Sequence, residues 1–364
     1  MKIDFANLQL QYQAYKKKID HNIKAVLDKS NFILGEEVEL LEKELQNFTG
    51  AKYAVTCSSG TDALLLSLMA LDIKPGDEVI TTPFTWISTA EMIALLKAKP
   101  VFVDIETDTF NMDANLIEAA ITKKTKAIMP VSLYGQPADI DAIQAIATHY
   151  NLKVIIDGAQ SFGSTYNNKT DSSLGDISTT SFFPSKPLGC YGDGGAVFTN
   201  NEEHAIKIKL LRVHGQNKRY YHKYIGIGGR LDTIEAAVLL AKLPNYQKEL
   251  IDRQKVADHY KKNLFNILKT PVLISNRTSV WAQYTLTVKN RDALHMKLKE
   301  NGIPTSIFYP IPLHLQECFA KLNYKQGDFA ISEKASREVL SIPMNPFLTN
   351  NQIEYISTEI KNNL

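Results

Sequence analysis

Strand-like and helix-like stretches alternate along the first half of this chain, and that alternation limits its fold more than any other feature. "AKYAVTC" reads as a short strand, and "SSGTDALLLSLMAL" as a turn opening a helix with Thr61 and Asp62 near its start. "DEVITTPFTWISTAEMIALLKAKPVFVDI" gives strand, loop, helix and strand. "TKAIMPVSLYG", a helix over 139–150 and "KVIIDGAQSFG" then repeat the pattern. A spacing of roughly 25 residues argues for βα units and a mostly parallel sheet. Ligands in such sheets bind beyond the carboxyl ends of the strands, and Thr56–Thr61, Thr85–Trp86 and Asp157–Gln160 all follow predicted strands.

The remainder divides by texture. Residues 1–13 are expected to form an N-terminal arm, and 14–50 read as mostly helical, with Leu40, Leu41, Leu45 and Phe48 at helical spacing. The large domain spans 14–245. Beyond a boundary near Pro244, the helix "IDRQKVADHYKKNLFNIL", the strand "VWAQYTLTV", the helix "RDALHMKLKENGI" and the strand "PTSIFY" make a small α+β domain over 246–364. The expected fold class is therefore α/β, a mostly parallel sheet flanked by helices with a smaller C-terminal α+β domain.

A net charge of +2 gives no whole-molecule argument for nucleic acid or membrane. The local exception is 204–231, with seven Lys/Arg and no carboxylate, an anion-attracting patch or in part a solvated helix face. The three cysteines, Cys57, Cys190 and Cys318, form no CxxC pair, so neither a disulfide framework nor a metal site is expected. The start lacks a signal-peptide pattern, and no run approaches the ~20 apolar residues of a membrane span, which points to the cytoplasm.

The chemistry concentrates in "SFFPSKPLGCYGDGGAV", where Lys186 stands alone as a cation between two strand-like segments. Lysines ordinarily keep their charge in water on a helix face, so this one is either a plain loop residue or a nucleophile in a pocket. Asp157 ends the apolar strand "VIID", either as a helix cap or as an acid facing the same edge of the sheet. An acid and a lysine together suggest pyridoxal phosphate: the amine joins the cofactor aldehyde, and the aspartate keeps the pyridine nitrogen protonated. The phosphate needs donors, which Gly60, Thr61 and the helix start behind them offer, with Ser181 as another. Taken alone, "SSGT" is also an ordinary cap. Trp86 could stack on the ring or be a core aromatic, and Gln160 could hydrogen-bond the ring oxygen.

"SSGTDAL", "TPFTW", "IIDGAQSFG" and "SFFPSKPLGCYGDGGAV", in this order, resemble the sugar aminotransferases that act on nucleotide-linked keto sugars, the DegT/DnrJ/EryC1/StrS type. The resemblance covers nearly the whole chain. It implies a fold-type I pyridoxal-phosphate enzyme, a homodimer with active sites at the subunit interface, and glutamate as amino donor. Lys186 would be the cofactor-bound lysine, Asp157 the ring-nitrogen partner, Trp86 the stacking aromatic, and Gly60, Thr61 and Ser181 the phosphate holders, with Gln160 on the ring. One departure stands out: the family's "N-x-R-L" segment is "GGRL" here, with Gly228 in place of the asparagine. Arg230 remains and is expected at the substrate, with Lys218 and Arg219 as further partners for a pyrophosphate. The loop "HGQNKRYYHKY" and "YPIPLHLQ" look most like the subgroup aminating C3 of a UDP-linked 2-acetamido-3-keto glucuronate, with Tyr309 and His314 lining the sugar pocket; His314 could equally be a packed histidine. The alternatives are amination at C3 or C4 of a dTDP- or UDP-linked keto-deoxysugar and, in a different class, a non-catalytic cofactor-binding protein. A nucleotide-binding oxidoreductase is disfavoured because neither "GDGGAV" nor "GIGGR" matches G-x-G-x-x-G.

Overall fold

The computed structural model describes residues 2–364. Its centre is a seven-stranded sheet built from β1 (Tyr53–Cys57), β2 (Glu78–Thr81), β3 (Lys99–Phe102), β4 (Thr125–Ile128), β5 (Lys153–Asp157), β6 (Ile177–Ser181) and β7 (Gly195–Thr199), in the spatial order β1-β7-β6-β5-β4-β2-β3. Neighbours from β6 to β3 run parallel, and β7 is antiparallel to both β1 and β6. The parallel crossovers include the helices Ser88–Leu95 and Ile140–His149, as the alternation predicts.

Both faces of the sheet are covered, so its inner strands read as continuous apolar runs. Successive residues of β5 show the pleat. Val154 and Ile156 join a cluster with Ile80, Ile128 and Ile143, whereas Ile155 joins one with Leu64, Leu68 and Val79 on the opposite face.

Several boundaries differ from the sequence expectation. The first helix starts at Leu8, inside the expected arm, because the Asn7 side chain caps it by accepting from Leu10 N (3.3 Å). The arm ahead of it is tied down: Ile3 packs in the C-terminal core, and Met344 N donates to Phe5 O. The stretch 14–50 is two helices, Leu8–Lys29 and Glu36–Thr49. The helix expected in "IDRQKVADHYKKNLFNIL" is the end of one that runs unbroken over Thr233–Leu264, with Pro244 inside it. Burial on both sides outweighs the ~3 kcal/mol a mid-helix proline typically costs. Leu239 and Tyr246 pack beneath the main sheet, and Val256, Tyr260 and Leu264 pack in the C-terminal core. In that part, Tyr284–Thr287 pairs antiparallel with Val339–Ile342. "PTSIFY" adds only the Ser306–Ser341 bridge, since prolines at 304, 310 and 312 deny it ladder donors. No helix among the described residues is long and apolar enough to cross a membrane.

Candidate active site

The ends of β1, β2, β5 and β6 and the beginning of the reversed β7 meet at one edge of the sheet. A cavity of about 590 Å3 opens there. Lys186, Asp157, Gly60, Thr61, Trp86, Gln160, Ser181 and Tyr309 all line it.

Its floor is Asp157, 4% exposed. The Thr89 hydroxyl donates to Oδ2 at 2.7 Å and Ala159 N to Oδ1 at 3.2 Å. Burial raises the acid's pKa, and Thr89, Ala159 and the nearby Lys186 charge oppose that rise. The Ala159 contact is the local cap; the Thr89 contact reaches across the site. Thr89 was not singled out in the sequence, although it lies three residues past Trp86 in "WISTAE", in the first turn of helix Ser88–Leu95.

Lys186 is held by a turn in which its N–H donates to Phe183 O at 2.8 Å. Its amine has no hydrogen-bond or ion-pair partner among the described residues. Burial lowers its pKa to about 8, with Asp157 acting in the opposite direction. A free amine and a carboxylate therefore share the cavity without neutralising one another in a contact pair.

Two glycines let backbone come close on the β1 side. A Cβ on Gly60 would stand 2.6 Å from Ser181 Cβ, and one on Gly195 would stand 2.3 Å from Ser59 O. Helix Gly60–Ala70 thus begins hard against Ser181. Ser59 caps it by accepting from Asp62 N at 3.0 Å, and the Thr61 and Ser88 hydroxyls are 2.8 Å apart. The first N–H groups of a helix lack intrahelical partners and carry its positive end, so this corner is built for an anion.

The opposite wall is Trp86 and Tyr309, whose ring centroids are 6.3 Å apart. Gln160 donates to the Tyr309 hydroxyl at 3.1 Å and accepts from Tyr134 N at 2.8 Å. Gln283, also unremarked in the sequence, lines the same cavity.

Other expected substrate residues stand elsewhere. His314 is 2% exposed, with Nε2 3.1 Å from Glu333 Oε1 and its ring against Phe329, outside the cavity lining. Leu313 N is anchored on Pro83 O at 2.7 Å, and the turn after Pro312 carries the next side chain into this separate cluster. Its pKa is lowered, chiefly by burial. This placement corrects the expectation that His314 faces the sugar pocket. Arg230 is also outside the lining; it follows Gly229, whose carbonyl accepts from Ser58 N at 3.1 Å beside the end of β1. A Cβ on Gly228 would lie 3.1 Å from the His214 ring. Lys218 and Arg219 sit on the exposed hairpin Gln216–His222.

An α/β sheet with a lysine, an acid and an anion-binding helix start at its carboxyl edge describes an aminotransferase of fold type I, and comparison with known proteins agrees. The model of the DegT/DnrJ/EryC1/StrS aminotransferase family matches residues 13–361, and the chain belongs to that family. A UDP-2-acetamido-2-deoxy-3-oxo-D-glucuronate aminotransferase of Pseudomonas aeruginosa is 49% identical, covering 99% of this chain and 100% of that one. A UDP-N-acetyl-3-dehydro-alpha-D-glucosamine 3-aminotransferase of Acidithiobacillus ferrooxidans is 41% identical over 100% of this chain and 98% of its own. Among solved structures, NtdA of Bacillus subtilis with bound cofactor PMP has a TM-score of 0.91 at 32% identity, covering 99% of this chain and 85% of that one.

Pyridoxal phosphate fits the residues present. The unpartnered Lys186 amine suits its aldehyde, buried Asp157 suits a ring N–H, and the Gly60–Ser181 corner suits a phosphate that a side chain at Gly60 would crowd.

Proposed function

We propose that this protein moves the amino group of glutamate onto C3 of a UDP-linked 2-acetamido-3-keto glucuronate, using pyridoxal 5'-phosphate. The observation that carries the reaction type is the free, desolvated Lys186 amine facing the same cavity as Asp157. Support for the substrate comes from the 49% identical relative. When bound, the cofactor supplies an aldehyde that carries the amino group and a pyridinium ring that accepts the electron pair left as a C–H bond breaks.

The chain's own residues do the rest. Asp157 holds the ring nitrogen's proton through a charge-assisted hydrogen bond, and Thr89 keeps that carboxylate aimed. Lys186 Nζ would take the α-proton of the donor in the first half of the cycle and, in the second, deliver a proton to C3 of the sugar; a pKa near 8 suits both roles at neutral pH. Gly60, Thr61 and Ser181 hold the phosphate, Trp86 covers the ring, Gln160 orients Tyr309 and the ring oxygen, and Tyr309 borders the sugar.

One feature favours a second reading of the sugar. Lys186 is the only cation among the described residues lining the cavity, so a glucuronate carboxylate has no partner within one chain. We resolve this with a homodimer whose second subunit completes the site. Tyr220 is 76% exposed, Tyr221 63% and Ile225 91%, an apolar edge beside Lys218 and Arg219 that suits burial between subunits. Arg230 of this region is the proposed carboxylate partner. Without such completion, an uncharged 3-keto sugar is the better substrate, or a dTDP- or UDP-linked keto-deoxysugar aminated at C3 or C4. A cytoplasmic location, with product entering cell-surface polysaccharide or O-antigen synthesis, accords with these substrates.

The test is an absorbance titration. Enzyme converted to its amino form with glutamate and freed of donor is mixed with 3-keto or 4-keto nucleotide sugars, with and without the C6 carboxylate. Return of the original spectrum with the 3-keto glucuronate alone supports the proposal. Return with a 4-keto sugar alone overturns the C3 assignment.

A further inference from the structure

Beyond Asp157, outside the cavity lining, lies a second buried carboxyl. Asp171 opens the short turn Asp171–Ser173 and is 1% exposed. The Ser161 hydroxyl donates to Oδ2, and the Ser132 hydroxyl faces the same carboxyl without reaching hydrogen-bond geometry. Oδ1 and the nearby Ser164 hydroxyl have no partner among the described residues, and no lysine or arginine there pairs with the group. The cluster is fastened to the Asp157 turn. Ser132 N donates to Asp157 O at 3.0 Å and Ser161 N to Gly158 O at 3.0 Å, while a Cβ on Gly158 would lie 3.5 Å from Asp171 Oδ2.

A buried carboxyl without a cation works against folding. Where a chain keeps such a group beside its reactive acid, function is the natural compensation. We propose that Asp171 is a positioning residue for Asp157: it gathers Ser132 and Ser161 behind the 157–161 turn and, when ionised, sets a second negative charge near the Asp157 carboxylate, tightening its hold on the cofactor's ring N–H. This rests on the reading of Asp157 given above.

The surroundings leave Asp157 as the one titratable partner. Strands β6 and β7 present no charged side chain, and Glu42, the buried carboxylate of helix Glu36–Thr49, is tied to Arg212. Burial raises Asp171 to about 6; the two hydroxyls oppose the rise, and the charge on Asp157 adds to it. As pH falls through that value Asp171 takes up a proton, the second charge is lost, and the ring proton is held less firmly.

The experiment follows the absorbance of bound cofactor, and its dissociation constant, across this pH range in wild type, Asp171→Asn, Ser161→Ala and Asp157→Asn. In wild type, affinity should weaken by about tenfold as pH drops through the step, the effect of roughly one unit of coupling. Asp171→Asn should hold the weaker affinity on both sides, with no step. Ser161→Ala removes a hydrogen bond to the charged form and should move the step to higher pH. It also keeps the proposal testable if Asp171→Asn folds poorly. A merely structural Asp171 would alter melting but leave the spectral step in place, and that result overturns the proposal. An Asp157→Asn variant with wild-type spectrum and affinity would instead overturn the reading of Asp157. If Asp157→Asn changes both while Asp171→Asn tracks wild type, only the role of Asp171 falls.

Discussion

The loop between β6 and β7 has a lysine on each side, one half-buried and one buried, and the two make an instructive pair. On the cavity side is Lys186; on the far side is Lys242, from helix Thr233–Leu264. Burial lowers both to about 8. Lys242 Nζ donates to Gly189 O at 2.6 Å and lies 4.3 Å from the centre of the Tyr191 ring. Glu235 of the same helix accepts from Tyr191 N at 2.7 Å, so the helix grips the loop from behind. Lys186 makes no such contact. Both amines are desolvated, and pairing separates them: Lys242 has an acceptor in Gly189 O, whereas Lys186 is left unpartnered, as the proposed chemistry requires.

The sharpest way to break this comparison is to exchange both lysines. Lys186→Ala should remove turnover, at least the ~10²–10⁴-fold a positioned proton-transfer group supplies, while cofactor remains bound by the phosphate corner and Asp157. Lys242→Met should keep turnover within about tenfold, because the contacts it loses, to Gly189 O and the Tyr191 ring, lie outside the cavity lining. Steady-state rates decide it; comparable losses in the two variants would mean that Lys242 acts in the reaction.

Next in size is Asp157→Asn. Losing the charge behind the ring should slow transamination by ~10²–10³-fold, as removal of a preorganised charge partner does elsewhere. An unchanged rate would place ring protonation on another group.

Much of this was legible in the sequence because it is local. Strand and helix periods lie within a few residues of one another, and the segments carrying Gly60, Trp86, Asp157, Ser181 and Lys186 each end a strand, which places them at one sheet edge once the strands are parallel. What was hidden depends on distant pairing. His314 takes Glu333 as partner, 19 residues on, and nothing in "YPIPLHLQ" announces it. Thr89 reaches Asp157 across 68 residues. The helix through Pro244 reads as a break because a proline normally ends one, and only the two cores it joins hold it together. Arg230 was expected at the substrate from the family resemblance, with Lys218 and Arg219 added because basic groups suit a pyrophosphate, and in one chain none of them lines the cavity.

A smaller effect probes the phosphate corner against the lysine side. With a Cβ 2.6 Å from Ser181 Cβ and 3.2 Å from its Cα, Gly60→Ala must push the helix start away from β6. Overpacking of this kind typically costs about 1–3 kcal/mol. Cofactor affinity should fall by roughly the tenfold that 1.4 kcal/mol represents, with the rate of saturated enzyme nearly unchanged. A loss confined to the rate would show that the corner does not hold the phosphate.

The last test returns to the two amines through stability in the cofactor-free protein. Each folded-state pKa lies near 8 against 10.5 for a free lysine, so the unfolded chain binds more protons between those values. Stability should therefore rise with pH across that window, where the charged amines disfavour folding progressively less. For Lys242, 2% exposed, the contribution is up to about 3 kcal/mol. Lys242→Met should flatten its share of the slope while leaving Gly189 O without its donor, so the variant gains on wild type at neutral pH and loses ground as pH approaches 10.5. Lys186→Met should flatten the slope without that loss, since its amine satisfies no protein acceptor. Denaturant unfolding of the three proteins at matched pH would show it. Parallel curves for the two variants at high pH would mean that the Gly189 contact holds nothing, and that the loop is kept in place from the cavity side instead.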